Sequence, residues 1–249
     1  MKTSVKLFVC SAVLFSFIAN AQWSNKKLKG NGNVVSETRT TSDYDGIKIS
    51  GFFDVDLVAG KEGKITLQGE QNLLAAIKVE VENNILKVYV EKGVNLSPSL
   101  GKKIEMTIPF ETISQLSLAG SGDISTKNPI KNDKFQARLS GSGNFNLALD
   151  SNDLELTLSG SGDVNLKGNA ANFSTILSGS GDIDATNLKT KNSEVTISGS
   201  GDVRVNCTES ISAKVSGSGD VRYSGNPEKP TPGPCVRLCL PCISWCPRY

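Results

Sequence analysis

Asp123, Asn144, Asp163, Asp182, Asp202 and Asp220 each close a short Gly-Ser-Gly phrase, and Ser121, Ser142, Ser161, Ser180, Ser200 and Ser218 stand two residues before them. Oxygen side chains at that spacing can do three kinds of chemistry. They can hold a turn by accepting backbone hydrogen bonds, gather a hard divalent cation, or supply a carboxylate pair for acid–base work on a polymer. The chain has no histidine, which removes imidazole acid–base chemistry, a His-based nucleophile relay and a His-ligated metal. Gly-Ser-Gly is not the G-x-S-x-G elbow, and no strand-to-helix context surrounds it. A polysaccharide-acting site would need singular residues. Here the same Ser/Asp set recurs, with Arg138, Arg204 and Arg222 scattered among its copies as solvated surface. The expectation is a non-enzyme.

If the phrases stack, neighbouring carboxylates about 5 Å apart repel by roughly 0.8 kcal/mol in water and several-fold more where screening is poorer. Two offsets compete: backbone N–H groups and Ser hydroxyls bonding each Asp in a turn, or a divalent cation bridging pairs. Calcium-binding β-roll repeats also carry G-x-G-x-D, but every nine residues and with an extra aliphatic position. The uncharged Asn144 sits in the same column, so the turn is favoured and no cofactor or metal is expected.

The elements that must position these side chains follow from their period. The leading glycines, Gly120, Gly141, Gly160, Gly179, Gly199 and Gly217, are 21, 19, 19, 20 and 18 residues apart, the mark of stacked structural units. Within the third unit Leu154, Leu156, Leu158, Gly160, Gly162, Val164 and Leu166 share one parity, and Glu155, Thr157, Ser159, Ser161, Asp163 and Asn165 the other. A period of two means strands, and the alternation runs straight through each phrase. One such unit cannot bury its apolar face alone. Stacked in parallel, successive coils bring the inward Leu, Ile, Val and Phe into columns. Inward glycines allow a sharp bend or the close approach of an opposite wall. The polar joins Thr126 to Lys134, Lys167 to Asn172 and Thr186 to Glu194 read as loops or turns that absorb the spacing differences.

Ile47, Ile49, Gly51, Phe53, Val55 and Leu57 repeat the parity and form a degenerate first coil. Lys64 to Gln68, Ile77 to Val81, Ile85 to Val90 and Ile104 to Ile108 are further short alternating runs, and Asn83-Asn84 reads as a hairpin turn. No long, capped helical period occurs. The fold class is all-β, a parallel β-helix or β-solenoid with coils of about 20 residues.

Lys2 and Lys6, the apolar run Leu7 to Ile18 and the small residues Ala19-Asn20-Ala21 read as a signal peptide over 1–21, which implies export to periplasm, cell surface or medium. Residues 22–43 read as a flexible lead-in, 44–226 as the solenoid and 227–249 as a Pro/Cys-rich tail. No later run is long and apolar enough to span a bilayer. With 27 Lys plus Arg against 25 Asp plus Glu, no polyanion-binding field and no nucleic-acid partner are implied. The tail places Cys235, Cys239, Cys242 and Cys246 in C-x3-C-x2-C-x3-C spacing, which reads as disulfide-forming in an exported chain rather than as a zinc site. With Cys207, five cysteines remain after export, so complete internal pairing is ruled out.

The signal segment, the Y-D-G-I-K-I-S-G-F-F-D-V-D-L run from Tyr44 to Leu57 and the serial S-G-S-G-D-[VI] units resemble the putative auto-transporter adhesin family with a head GIN domain, common in Bacteroidetes. The resemblance covers Tyr44 to Asn226 and implies a β-helical exported or cell-envelope protein with a role in adhesion. The chain departs from the family label in lacking a translocator barrel and in ending on the Cys/Pro tail. Three functions are then ranked: a module meeting glycan or protein partners through its Ser/Asp face, a self-associating structural envelope protein, and a polysaccharide-acting enzyme.

Overall fold

Leu118, Leu139, Leu158, Leu177 and Ile197 form one column because consecutive coils pair in parallel with their repeats in register. A second column runs Ile124, Phe145, Val164, Ile183, Val203 and Val221. Every member of both is at most 1% exposed. Each such side chain contributes about 1.5–3 kcal/mol of transfer free energy, which no single coil could collect. The computed structural model describes residues 26–225 and the backbone of 229–231 and 236–238. It is 72% strand and 2% helix, a β-solenoid of about 6 turns.

The corners differ from the sequence expectation. Strands run unbroken over Val164–Gly179 and Ile183–Gly199, straight through the joins expected as loops, and break at the Gly-Ser-Gly-Asp phrases instead. Of the expected loops, only Lys127 to Pro129 leaves the strand. The joins stay paired because their side chains form a ladder of their own. Asn172 Nδ2 donates to Asp153 Oδ1 (2.8 Å), Asn192 Nδ2 to Asn172 Oδ1 (3.0 Å) and Ser210 Oγ to Asn192 Oδ1 (2.6 Å). Spacing differences are absorbed there as register shifts inside the strands, at Asn165/Lys167, Ala185/Lys189 and Thr190/Asn192.

The degenerate coil is real but lies second in the stack. Gly46–Gly51 and Asp54–Ala59 pair in register with Gln115–Gly120 and Asp123–Thr126 on one side. On the other side lie Ile85–Val90 and Glu105–Phe110, reached by an excursion from Gly60 to Ile113. Asn83 and Asn84 take φ of 52° and 60° and join the antiparallel strands Ile77–Glu82 and Ile85–Val90, the hairpin expected from sequence. Lys64–Glu70 pairs antiparallel onto Glu105–Phe110 and Val34–Thr40 antiparallel onto Lys64–Glu70, which extends the sheet at this end.

Two strands, Lys26–Lys29 and Val34–Thr40, occupy the segment expected as a flexible lead-in. Arg39 fixes the second of them. Its guanidinium donates to the carbonyls of Ile77 and Leu74, the latter at 2.7 Å. Glu70, 1% exposed, clasps the same end by accepting from Gly32 N (2.5 Å), Ser99 N (2.8 Å) and Ser99 Oγ (2.6 Å). At the far end, the backbone of Lys229–Thr231 pairs with Ser210–Ser212, and that of Val236–Leu238 with Val221–Tyr223. Parallel stacking therefore continues beyond residue 226. Cys207 is a free, fully buried thiol that donates to the carbonyls of Lys191 (3.0 Å) and Ser210 (2.8 Å). The signal segment 1–21 and the four tail cysteines lie outside the described residues.

Two outcomes are expected. Thr175 stands between Leu156 and Val195 in an inward column, 1% exposed, with a hydroxyl that has no partner. Thr175→Val should raise stability by about 1 kcal/mol in urea denaturation, and an unchanged or lowered midpoint would contradict the packing described. The Ser99 hydroxyl and amide, with the Gly32 amide, hold the Glu70 carboxyl below its usual range. A lowered folded-state pKa gives stability that is complete above the unfolded value of about 4.3 and is lost as pH falls through the folded value. Glu70→Gln should therefore speed hydrogen exchange of residues 30–33 at neutral pH and leave that exchange less sensitive to acid.

Candidate functional site

Each of the six regular phrases turns at a pair of glycines, while the degenerate coil keeps only the first of them, and backbone geometry requires each glycine. The leading glycines, Gly51 and Gly120 through Gly217, hold φ between 129° and 148°, where side chains are strained. A Cβ on Gly160 would lie 2.1 Å from the carbonyl oxygen of Gly141, and one on Gly162 would lie 1.9 Å from that of Gly143. Of the two uses expected from sequence, a sharp bend or the approach of an opposite wall, the bend is the one present, and the close neighbour is the coil beneath. The approach follows from hydrogen bonding across the corner: Ser161 N donates to Gly141 O, Ser180 N to Gly160 O, Ser200 N to Gly179 O and Ser218 N to Gly199 O, all at 2.9 Å.

One residue further on, the acidic column forms a ladder. Asp123 Oδ1 accepts from Asn144 N (3.2 Å) and Nδ2 (2.8 Å), Asn144 Oδ1 from Asp163 N (3.1 Å), and Asp163 Oδ1 from Asp182 N (3.1 Å). Asp182 Oδ1 accepts from Asp202 N (2.8 Å), and Asp202 Oδ1 from Asp220 N (2.9 Å). Each side chain thus satisfies the N–H of its counterpart one coil on. Each counterpart carbonyl accepts in return, as Asp182 O does from Val164 N (2.9 Å). Inter-coil N–H dipoles are the offset to carboxylate repulsion. Ser121, Ser142, Ser161, Ser180, Ser200 and Ser218 are exposed beside this ladder. Among the described residues no three acidic or cysteine side chains gather into a metal-holding group.

The structure brings all twelve sequence-selected residues to one outward ridge and extends it with Asp54, which in the degenerate coil matches the phrase, and with residues the repeat did not reveal. Glu105 and Asp54 continue the acidic column towards the N-terminal end. A parallel column adds Thr107, Asp56, Ser125, Asn146, Asn165 and Asp184, then Arg204 and Arg222. With Thr66 and Gln68 from Lys64–Glu70, the N-terminal part of this sheet face forms a trough of about 660 Å³. The parity of Asp54-Val55-Asp56, matched to Asp123-Ile124-Ser125, was a signal for the first of these positions. The excursion strands carried none, because alternation alone does not say which coil a strand joins.

Electrostatics within the trough are set by close partners. Burial pushes the Asp56 carboxyl up, but the Ser125 hydroxyl (2.5 Å) and the Lys127 ammonium (3.0 Å) outweigh it and hold the group below its usual range. Lys103 Nζ lies 2.6 Å from Asp54 Oδ2, and that bond raises the lysine above its usual range. Towards the far end, burial likewise raises Asp184, and its bonds from Thr186 together with the charge of Arg204 bring it below.

A family model described as putative auto-transporter adhesin, head GIN domain, matches residues 43–227. Among solved structures, a putative adhesin from Bacteroides fragilis is 26% identical, with a TM-score of 0.78 over 85% of this chain and 95% of that one. A protein described as a putative lipid binding protein from Parabacteroides distasonis is 24% identical, with a TM-score of 0.67 over 86% and 95%. A putative adhesin from Parabacteroides merdae is 21% identical, with a TM-score of 0.63 over the same shares. The last two share the fold. No curated protein matches.

The corner geometry separates glycines by their surroundings. Gly162→Ala should destabilise by on the order of 4 kcal/mol. Gly60→Ala, whose Cβ would meet nothing nearer than 3.9 Å, should be near neutral in the same denaturation experiment. Asp163→Ala removes the acceptor for Asp182 N and should cost about 1 kcal/mol. Asp163→Asn keeps the acceptor and removes a charge, so it should match or exceed the parent. A rise in Tm with calcium that Asp163→Asn abolishes would assign the column to cation binding instead.

Proposed function

Because the chain belongs to the head GIN domain family of putative auto-transporter adhesins, we propose that it is an exported, non-enzymatic adhesin-like module of the cell envelope. In this reading its repeated Ser/Asp ridge meets a glycan or protein partner at the cell surface. The observation that carries the reading is the division of labour along the ridge. Backbone hydrogen bonds fix the acid ladder, while the six serines beside it are exposed. A polar surface so fixed loses little side-chain freedom on contact. Export rests on the signal segment read at 1–21. Among the described residues no helix is long and apolar enough to cross a membrane.

Absence of catalysis rests on the chemistry of the columns. Arg204 and Arg222 pair with Asp184 and with Asp202 and Asp220, at 3.6–3.8 Å, as partly exposed ion pairs rather than as groups converging on one point. The acid recurs in five of the six phrases, with Asn144 in its place in the other.

Replacing the six ridge serines with Ala, and separately the ridge acids with Asn, leaves the backbone ladder its acceptors. Either set should reduce binding to host or bacterial cells and to arrayed glycans by about tenfold or more, with the Tm little changed. Undiminished binding by both sets would remove the ridge from the contact surface. Release of reducing ends or unsaturated products from envelope polymers would remove the non-enzymatic reading.

A further inference from the structure

We propose that the trough at the N-terminal end of the ridge is a docking groove for an extended polypeptide segment rich in lysine and arginine. The proposal rests on the reading of the chain as a binding module and names the partner class of one part of that surface. Three observations carry it.

The first is shape. The groove lies where Lys64–Glu70, Glu105–Phe110 and Asp54–Ala59, all outside the regular array, meet the first strands of the array on one continuous sheet face. Its volume of about 660 Å³ compares with about 280 Å³ for the depression on the other face, where Lys48 and Lys87 balance Glu80 and Glu82.

The second is charge. Asp54, Asp56, Glu105, Asp123 and Asp163 bring five carboxylates to the groove, against the two lysines, Lys103 and Lys127, that pair with them. The local balance of −3 contrasts with a chain whose formal charge is +2. Such an excess in a concave site attracts cations and raises their on-rate. The two lysines also show what the carboxylates accept: a primary ammonium sits 2.6 Å from Asp54 Oδ2, and another 3.0 Å from Asp56 Oδ2. The ladder engages Oδ1 of Asp123 and Asp163, which leaves a second oxygen on each for a charge-assisted bond.

The third is the neutral lining. Gln68, Asn146 and Asn165 are exposed and, with Thr107, offer donors and acceptors that suit the peptide groups of an extended chain. Phe145 is the one aromatic residue among those lining the groove, and its ring is fully buried on the inward side. Among the residues that line the groove no ring is exposed for a sugar to stack on, and the half-buried Phe52 lies outside that lining, which favours a cationic peptide over a glycan here.

The test uses the mature chain and a fluorescent (Arg-Ser)5 peptide, with (Glu-Ser)5 as its acidic counterpart, read by anisotropy at two salt concentrations. The basic peptide should bind, more weakly at higher salt, and the acidic one should not. Asp54→Asn, Asp56→Asn and Glu105→Gln together should weaken binding at least tenfold. Glu155→Gln, Glu194→Gln and Asp133→Asn, which remove the same charge away from the groove, should change it less than about twofold. Asn146→Lys, at an exposed position in the groove, should block binding without disturbing the lysine pairs if the triple variant fails to fold. Equal losses in both triple variants, an unaffected Asn146→Lys, or displacement of the peptide by neutral oligosaccharides would each overturn the inference. If no peptide binds while cell binding still depends on the ridge serines, the groove proposal falls and the binding-module reading stands. If cell binding is also absent, both fall.

Discussion

One contact governs this molecule: at each corner the backbone of one coil rests on the carbonyl of the coil beneath, so close that a methyl group would lie about 2 Å from oxygen. Only glycine satisfies that contact, at two positions in each phrase. Glycine is otherwise a poor choice inside a strand-rich chain, since it loses more conformational freedom on folding than any other residue. The loss is offset because the contact fixes register. Once Gly120, Gly141, Gly160, Gly179, Gly199 and Gly217 stack, Leu118 must meet Leu139, and Ile124 must meet Phe145. Apolar columns, the acid ladder and the amide ladder at the joins are all consequences of that alignment.

Much of this was legible because period and parity are properties of the chain itself. The inward columns, the solenoid, the degenerate coil at Ile47 to Leu57 and the Asn83-Asn84 hairpin follow from them. Corners were misplaced for a physical reason. Lys, Gly and Asn at Lys167 to Asn172 have the composition of a loop, yet in a solenoid each of them faces a residue one coil away. Bonding of the Asn172 amide to the Asp153 carboxylate on one side and to the Asn192 amide on the other then makes strand the better state. Alternation through Ser161-Gly162-Asp163 was read correctly as side-chain direction, and burial alternates there, but alternation of direction does not require ladder pairing.

Stacking order was illegible for a different reason. Ile85–Val90 and Glu105–Phe110 lie beneath the coil that precedes them in the chain, so the chain visits the second level before the first. An alternating strand carries the same pattern whichever neighbour it pairs with, and loop-closure entropy varies too slowly with length to choose between them. What selects this arrangement is the end of the solenoid. Antiparallel Val34–Thr40, Lys64–Glu70 and Ile77–Glu82 cover strands that would otherwise expose a row of unpaired amides, and Arg39 and Glu70 tie those strands to neighbouring turns. The trough is a by-product of the same device, because the covering strands widen the sheet face there.

Repetition and recognition make opposite demands on such a scaffold. A ladder residue such as Asp163 is held in place by the next coil, so its identity answers first to the fold. Asn144 takes the same place with the same acceptor geometry and no charge. Positions that the fold leaves undetermined are those where neighbouring coils differ outwardly: Ser125, Asn146, Asn165, Asp184, Arg204 and Arg222 occupy one column with four kinds of side chain. Along that column the charge changes from neutral and acidic beside the N-terminal strands to basic at the far end. Uniform stacking cannot generate such a gradient and does not need it. Selectivity for a partner therefore has to reside in this second column and in the trough it lines, while the glycine corners and the acid ladder set the spacing at which those groups are presented.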